Sequence, residues 1–133
     1  MYNWDEKYSV GIRSIDDQHK ELFELLDSLL EAMIHGQGST ATAWIILKLD
    51  YFASVHFQKE EFFFQRFNYP DAEKHIMEHN YFLEKISSLK YELKSGNANL
   101  ALKLFHLLKD WIERHILIVD KQYSECFLKN GLR

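Results

Sequence analysis

Five histidines and two carboxylates in this chain stand at spacings that suit metal ligation: His19; His56 with Glu60; His75 with His79; and His115 with Asp120. Iron, zinc and manganese accept mixed imidazole and carboxylate ligands, and such a set exceeds what one ordinary ion uses. Two ions sharing bridging carboxylates would use all of it. Each cluster falls on a separate predicted helix. The chemistry implied is a dinuclear metal centre inside a four-helix bundle.

The elements that must position these residues are marked by helix breakers. Gly36 and Gly38 end a first helix, and Ser39 or Thr40 can cap the next. Asn68-Tyr69-Pro70 separates the second from the third, with Pro70 and Asp71 suited to a helix start. Ser95-Gly96-Asn97 closes the third and Asn130-Gly131 the fourth. The expected helices run roughly over 17–36, 40–67, 71–95 and 98–129. Residues 1–16 form an N-terminal arm whose Tyr8, Val10, Ile12 and Ile15 lie against the bundle. Short connections force antiparallel neighbours, so the fold is all-α and up-down-up-down, one domain over 1–133.

Each residue advances about 100° around a helix, so i, i+3, i+4 and i+7 share a face. His19 shares a face with Leu22, Phe23, Leu26 and Leu30; Leu49, Phe52, His56, Glu60, Phe63 and Phe67 form a second stripe; His75, His79, Phe82, Ile86, Leu89 and Leu93 form a third. Polar residues thus enter the core from three helices. A neutral histidine can be satisfied there by one or two hydrogen bonds, but a buried carboxylate such as Glu60 is expensive without a cation. On the fourth helix His115 and Asp120 are separated by about 140°, so they mark the edges of an arc in which Ile112, Ile116 and Val119 fall. Trp111 reads as a packing residue that, one turn before His115, could also wall the site. His106 and His35 point away, by about 180° from His115 and about 160° from His19 respectively. Trp44 and the run Phe62-Phe63-Phe64 read as core, and Cys126 as a small packed hydrophobe.

Composition narrows the partners. Apolar residues make up 47% and aromatics 15%, ample for a core, and the net charge is −4 with no basic run. Neither nucleic acid nor an anionic membrane surface is favoured. No apolar stretch approaches the ~20 residues of a membrane span, and the charged segment around Trp4 is no signal peptide. The single cysteine excludes an internal disulfide. A cytoplasmic, soluble protein is expected.

Two enzyme readings compete. His75-Ile-Met-Glu78-His79 matches the His-x-x-Glu-His pattern of zinc peptidases, in which Glu78 would be a general base. Glu78 lies about 100° off His79, toward the helix flank, and no segment suggests a substrate cleft. Ferritin-like di-iron oxidases use paired Glu-x-x-His motifs, and this chain has none. An imidazole-dominated set suits reversible binding better than oxidase chemistry.

These residues resemble the hemerythrins, in particular the single-domain bacterial ones, over nearly the whole chain. The matching stretches are Ser9 to Phe23 around His19, His56-Phe-Gln-Lys-Glu60-Glu61, Tyr69-Pro70, His75-x3-His79, and Trp111-x3-His115-Ile116-x3-Asp120-Lys-x-Tyr123. The aromatic run after Glu61 is bulkier than the family pattern. The resemblance implies two iron ions, one held by His75, His79 and His115 and the other by His19 and His56. Glu60 and Asp120 would bridge them with a solvent-derived oxo or hydroxo group. It implies reversible dioxygen binding at the iron with two histidines, beside an oxygen pocket of Trp111, Ile112 and Ile116. The expected role is oxygen storage, transport or delivery to an oxygen-consuming partner protein rather than catalysis. Oxygen or redox sensing, nitric oxide binding or iron handling are the alternatives, ahead of a di-iron oxidase or peroxidase.

Overall fold

A computed structural model describes residues 3–96 and 99–133 as an all-α four-helix bundle. α1 (Arg13–Ile34), α2 (Gly38–Arg66) and α3 (Ala72–Ser95) are its first three rods. The fourth is composite: α4 (Leu100–Asp110), a π-helical stretch (Trp111–Val119), a 3-10 turn (Asp120–Tyr123) and α5 (Ser124–Lys129). Among the described residues there is no strand, and no helix is long and apolar enough to cross a membrane.

Helix α1 begins ahead of the expected residue 17, and Ile15 lies on its buried face instead of in the arm. The cause is Asp16, in the first turn, which accepts from the Val10 backbone N–H at 2.8 Å and the Ser9 hydroxyl at 2.5 Å. A carboxylate there also suits the positive end of the helix. Helix α2 begins at Gly38, before Ser39 and Thr40, and neither caps it. A Cβ at Gly38 would stand 3.1 Å from Met33 Cγ and 3.3 Å from Ala101 Cβ, so glycine lets this helix start press against α1 and α4. Gly96 ends α3 in the left-handed conformation, φ 76°, as its type predicts. Asn97 and Ala98, expected to close the third helix and open the fourth, lie outside the described residues.

The arm packs as its apolar alternation suggests. Trp4 and Tyr8 meet Phe23 edge-on at 5.6 and 4.8 Å, and Val10 and Ile12 are buried. The interior has two apolar clusters. The larger holds Leu22, Leu26, Leu49, Phe82, Leu108, Ile112 and Ile116; the smaller holds Val10, Ile12, Ile15, Phe64, Tyr69, Tyr123 and Phe127. Residues of both clusters bracket the candidate ligands along α1, α2 and the fourth rod, which leaves a polar seam between two hydrophobic blocks. Two expected core residues lie elsewhere: Trp44 is 41% and Phe62 57% exposed, because they fall on the outer face of α2. Phe64 is the member of the aromatic run that is buried.

The largest departure is the π-helical stretch. The Asp120 N–H bonds the His115 carbonyl, an i→i+5 closure instead of the α-helical i→i+4. In an α-helix these residues would be about 140° apart; the wider turn sets Asp120 over His115. The expected arc between them therefore does not exist. Ile112 and Ile116 are buried in the larger apolar cluster, while Val119 is half-buried and lines an outer hollow with His75, Glu78 and Gln122.

Candidate metal centre

Each rod delivers its ligand candidates to the seam. His19 comes from α1, His56 and Glu60 from α2, His75 and His79 from α3, and His115 and Asp120 from the π to 3-10 junction. All are buried. They form two groups, His75, His79, His115 with Asp120, and His19, His56, Glu60 with Asp120. Within each group the ligating atoms lie within 4.8 Å of one another. Asp120 belongs to both, with Oδ1 2.8 Å from His75 Nε2 and 2.9 Å from His115 Nε2, and Oδ2 3.1 Å from His19 Nε2. Glu60 also spans the groups: its Oε1 is 3.1 Å from His79 Nε2 and 3.4 Å from His56 Nε2. His35 and His106 are exposed, away from the seam.

The outer nitrogens explain what the inner ones can do. His56 Nδ1 donates to Gln18 Oε1 at 2.7 Å, His79 Nδ1 to Glu61 Oε2 at 2.7 Å, and His115 Nδ1 to Glu78 Oε1 at 2.9 Å. These bonds fix the proton outside and turn an Nε2 lone pair inward, the arrangement that orients metal-binding imidazoles. The inward atoms then crowd. His19 and His56 Nε2 stand 3.0 Å apart, and His75 and His115 Nε2 stand 3.1 Å apart. Glu60 Oε1 and both Asp120 oxygens are buried without a donor. Acceptors meet at such distances only if protons or cations lie between them, and an unsatisfied buried group costs about 1–3 kcal/mol or more when charged. The donor set, mixed imidazole and carboxylate, fits metal ions of the iron, zinc and manganese type.

The electrostatics agree. Burial and the Asp120 charge oppose ionisation of Glu60, yet His56 and His79 hold its carboxyl well below the ordinary range. Burial likewise opposes ionisation of Asp120, and His115, His19 and His75 overcome it. Burial pushes His56 down, toward the neutral ligand form. His115 resists the same burial because Asp120 and Glu78 lift it to about 9. Without a metal, His115 thus keeps a proton on the electrons that a metal ion would use.

Aromatic rings seat the imidazoles. Trp111 stacks on His115 at 3.7 Å and 10°, and Phe57 on His79 at 3.9 Å and 3°. Phe64, from the bulky aromatic run, comes within 4.7 Å of His75. The sequence motifs include Glu61, Glu78 and Tyr123 without their roles beside the ligands, and Gln18 stands in the stretch around His19 with no role assigned. Gln18, Glu61 and Glu78 are the outer acceptors, and Tyr123 donates its hydroxyl to Glu60 Oε2. Burial and the neighbouring carboxylates raise Tyr123 well above the usual phenol range, so it remains a donor. Gln18 and Glu61 adjoin His19 and Glu60 in the chain, but adjacency does not reveal that each serves a histidine on another helix. Glu78 is not free to act as a general base: Arg114 Nη1 holds its two oxygens at 3.0 and 3.1 Å. His115 and Arg114 depress it to about 2.

Known proteins resemble this chain in sequence. Residues 10–126 match the family model described as the hemerythrin HHE cation binding domain. The chain is 28% identical over 129 residues to a bacteriohemerythrin of Clostridium acetobutylicum, covering 94% of this chain and 100% of that one. It is 28% identical over 120 residues to a bacteriohemerythrin of Methylococcus capsulatus, covering 90% and 91%. It is 29% identical over 123 residues to myohemerythrin-1 of Phascolopsis gouldii, covering 92% of each. With the four-helix fold and a polar seam of histidines and carboxylates, this match shows that the chain belongs to the hemerythrin family.

Proposed function

We propose that the protein binds dioxygen reversibly at a non-haem di-iron centre and serves oxygen storage, transport or delivery. His75, His79 and His115 would hold one iron and His19 and His56 the other, with Glu60 and Asp120 available to both. The observation that carries this reading is Asp120, whose two oxygens face histidines of both groups at 2.8 to 3.1 Å. One carboxylate so placed could serve two ions at once. Iron bound there would supply the redox chemistry that reversible dioxygen binding needs.

The chain's own residues do the rest. Glu60 is oriented by the Tyr123 hydroxyl, and His56, His79 and His115 by Gln18, Glu61 and Glu78. Ile112 and Ile116, fully buried, exclude water and protons from the seam, with Trp111 closing one side. Glu60 and Asp120 are held ionised and Tyr123 is held as a donor to Glu60, so these buried groups are poor acids toward a bound ligand, which supports carrying over activation. The test is optical. Anaerobically reduced protein should gain a visible ligand-to-iron charge-transfer band on exposure to oxygen and lose it when oxygen is removed. Irreversible bleaching, or hydrogen peroxide released in stoichiometric amount, would overturn the carrier reading. One zinc per chain on metal analysis would overturn the di-iron centre.

A further inference from the structure

We propose that Arg114 is a positioning residue that sets the donor strength of His115 through Glu78. The inference rests on the metal-centre reading above. His115 Nδ1 donates to Glu78 Oε1 at 2.9 Å, and Arg114 Nη1 lies 3.0 and 3.1 Å from the two Glu78 oxygens. Arg114 Nε in turn stands 3.7 Å from Asp110 Oδ2, one helical turn back. Trp111 fixes the plane of the imidazole by stacking on it. Glu78 fixes its rotation, and Arg114 fixes Glu78.

The other outer acceptors lack this third layer. His56 faces the neutral amide of Gln18, and His79 faces Glu61, which makes no ion pair with lysine or arginine among the described residues. The three acceptors therefore form a series: an amide, a carboxylate, and a carboxylate clamped by a guanidinium. A carboxylate accepting from Nδ1–H pushes electron density toward Nε2 and strengthens its bond to a cation. A guanidinium bound to the same carboxylate draws part of that density away and fixes the geometry with charge-assisted bonds. Arg114 and Glu78 are partly exposed, at 45% and 29%, so solvent screens their bare charges and the hydrogen-bonded route carries the influence.

The experiment is a double-mutant cycle read by the midpoint potential of the iron-loaded protein. Glu78→Gln should raise the potential, since a neutral acceptor weakens His115 as a donor. Arg114→Gln should lower it. In the Glu78→Gln background, Arg114→Gln should have no further effect. Additive shifts, with Arg114→Gln moving the potential equally in both backgrounds, would mean that the guanidinium acts only as a distant charge and would overturn the proposal. A second readout avoids iron. In zinc-loaded protein, the His115 Nδ1–H proton resonance should move in Arg114→Gln and return part of the way in Arg114→Lys; an unmoved resonance refutes the coupling. If a variant loses iron, the zinc measurement decides. A wild-type protein that takes up no metal overturns the metal-centre reading and this inference together, whereas a metal-loaded wild type with additive variants overturns this inference alone.

Discussion

The two halves of the seam are held with different firmness. In the three-histidine half, His115 and His79 are stacked against Trp111 and Phe57 at 3.7 and 3.9 Å, and each donates outward to a carboxylate. In the two-histidine half, His56 stacks more loosely on Phe52 at 5.1 Å and donates to an amide. The buried Nδ1 of His19 has no hydrogen-bond partner, as is also true of His75 Nδ1 in the three-histidine half, so the contrast lies in His79 and His115 against His56. Stronger outer acceptors make stronger, better-oriented donors. In the proposed centre the contrast would divide the labour: the three-histidine half would anchor its metal, and the two-histidine half, with fewer imidazoles, would leave room for an exchangeable ligand.

Removing the shared carboxylates should do most to erase the contrast. Asp120→Ala and Glu60→Ala should each lose most bound metal from both halves while far-ultraviolet circular dichroism keeps its helical signal; two metal ions retained per chain would contradict bridging. Single histidine changes should then separate the halves. His56→Ala should leave close to one metal ion per chain in the three-histidine half, and elemental analysis showing two, or none, would break the proposed asymmetry.

Outer acceptors should have graded effects. Loss of such a partner commonly costs about 10–100-fold in metal affinity. Glu61→Gln should fall in that range and Gln18→Leu should weaken only the two-histidine half, as competition with a chelator would reveal. Ile116→Ala and Ile112→Ala should retain iron yet speed autoxidation by admitting water, with a loss of roughly 2–5 kcal/mol of stability from the cavity. Unchanged autoxidation in both would remove them from the oxygen pocket.

The smallest effect is a proton. His115 sits at about 9 in the metal-free protein, above its ordinary 6.5, so it is charged near neutral pH and a metal must displace that proton. Metal affinity should therefore fall as pH drops below about 9, with proton release visible by indicator dye. The sign for metal-free stability follows from linkage. A raised value stabilises the fold below 6.5, and this contribution disappears as pH rises through about 9.

Much of this was legible in the chain. Gly36, Pro70 and Gly96 marked the turns because their backbone preferences are local, and the helical stripes placed His19, His56, Glu60, His75 and His79 on inward faces because burial follows a period of 3.6. The fourth rod resisted the same arithmetic. Regular α-helical spacing separates His115 from Asp120, and nothing in Trp111–Val119 announces an i→i+5 turn. Trp44 and Phe62 misled for a related reason: aromatic character says nothing about which face of a helix another helix will cover.

By itself the sequence determined the bundle, its turns and the residue types available to a metal, because these depend on local conformation and periodic burial. Only the tertiary structure decided how closely the ligand atoms approach, that an i→i+5 turn lets Asp120 face both groups, and that Gln18, Glu61 and Glu78 reach histidines on other helices. The physical reason is that those relations join residues far apart in the chain, and the packing of one helix on another sets their distances.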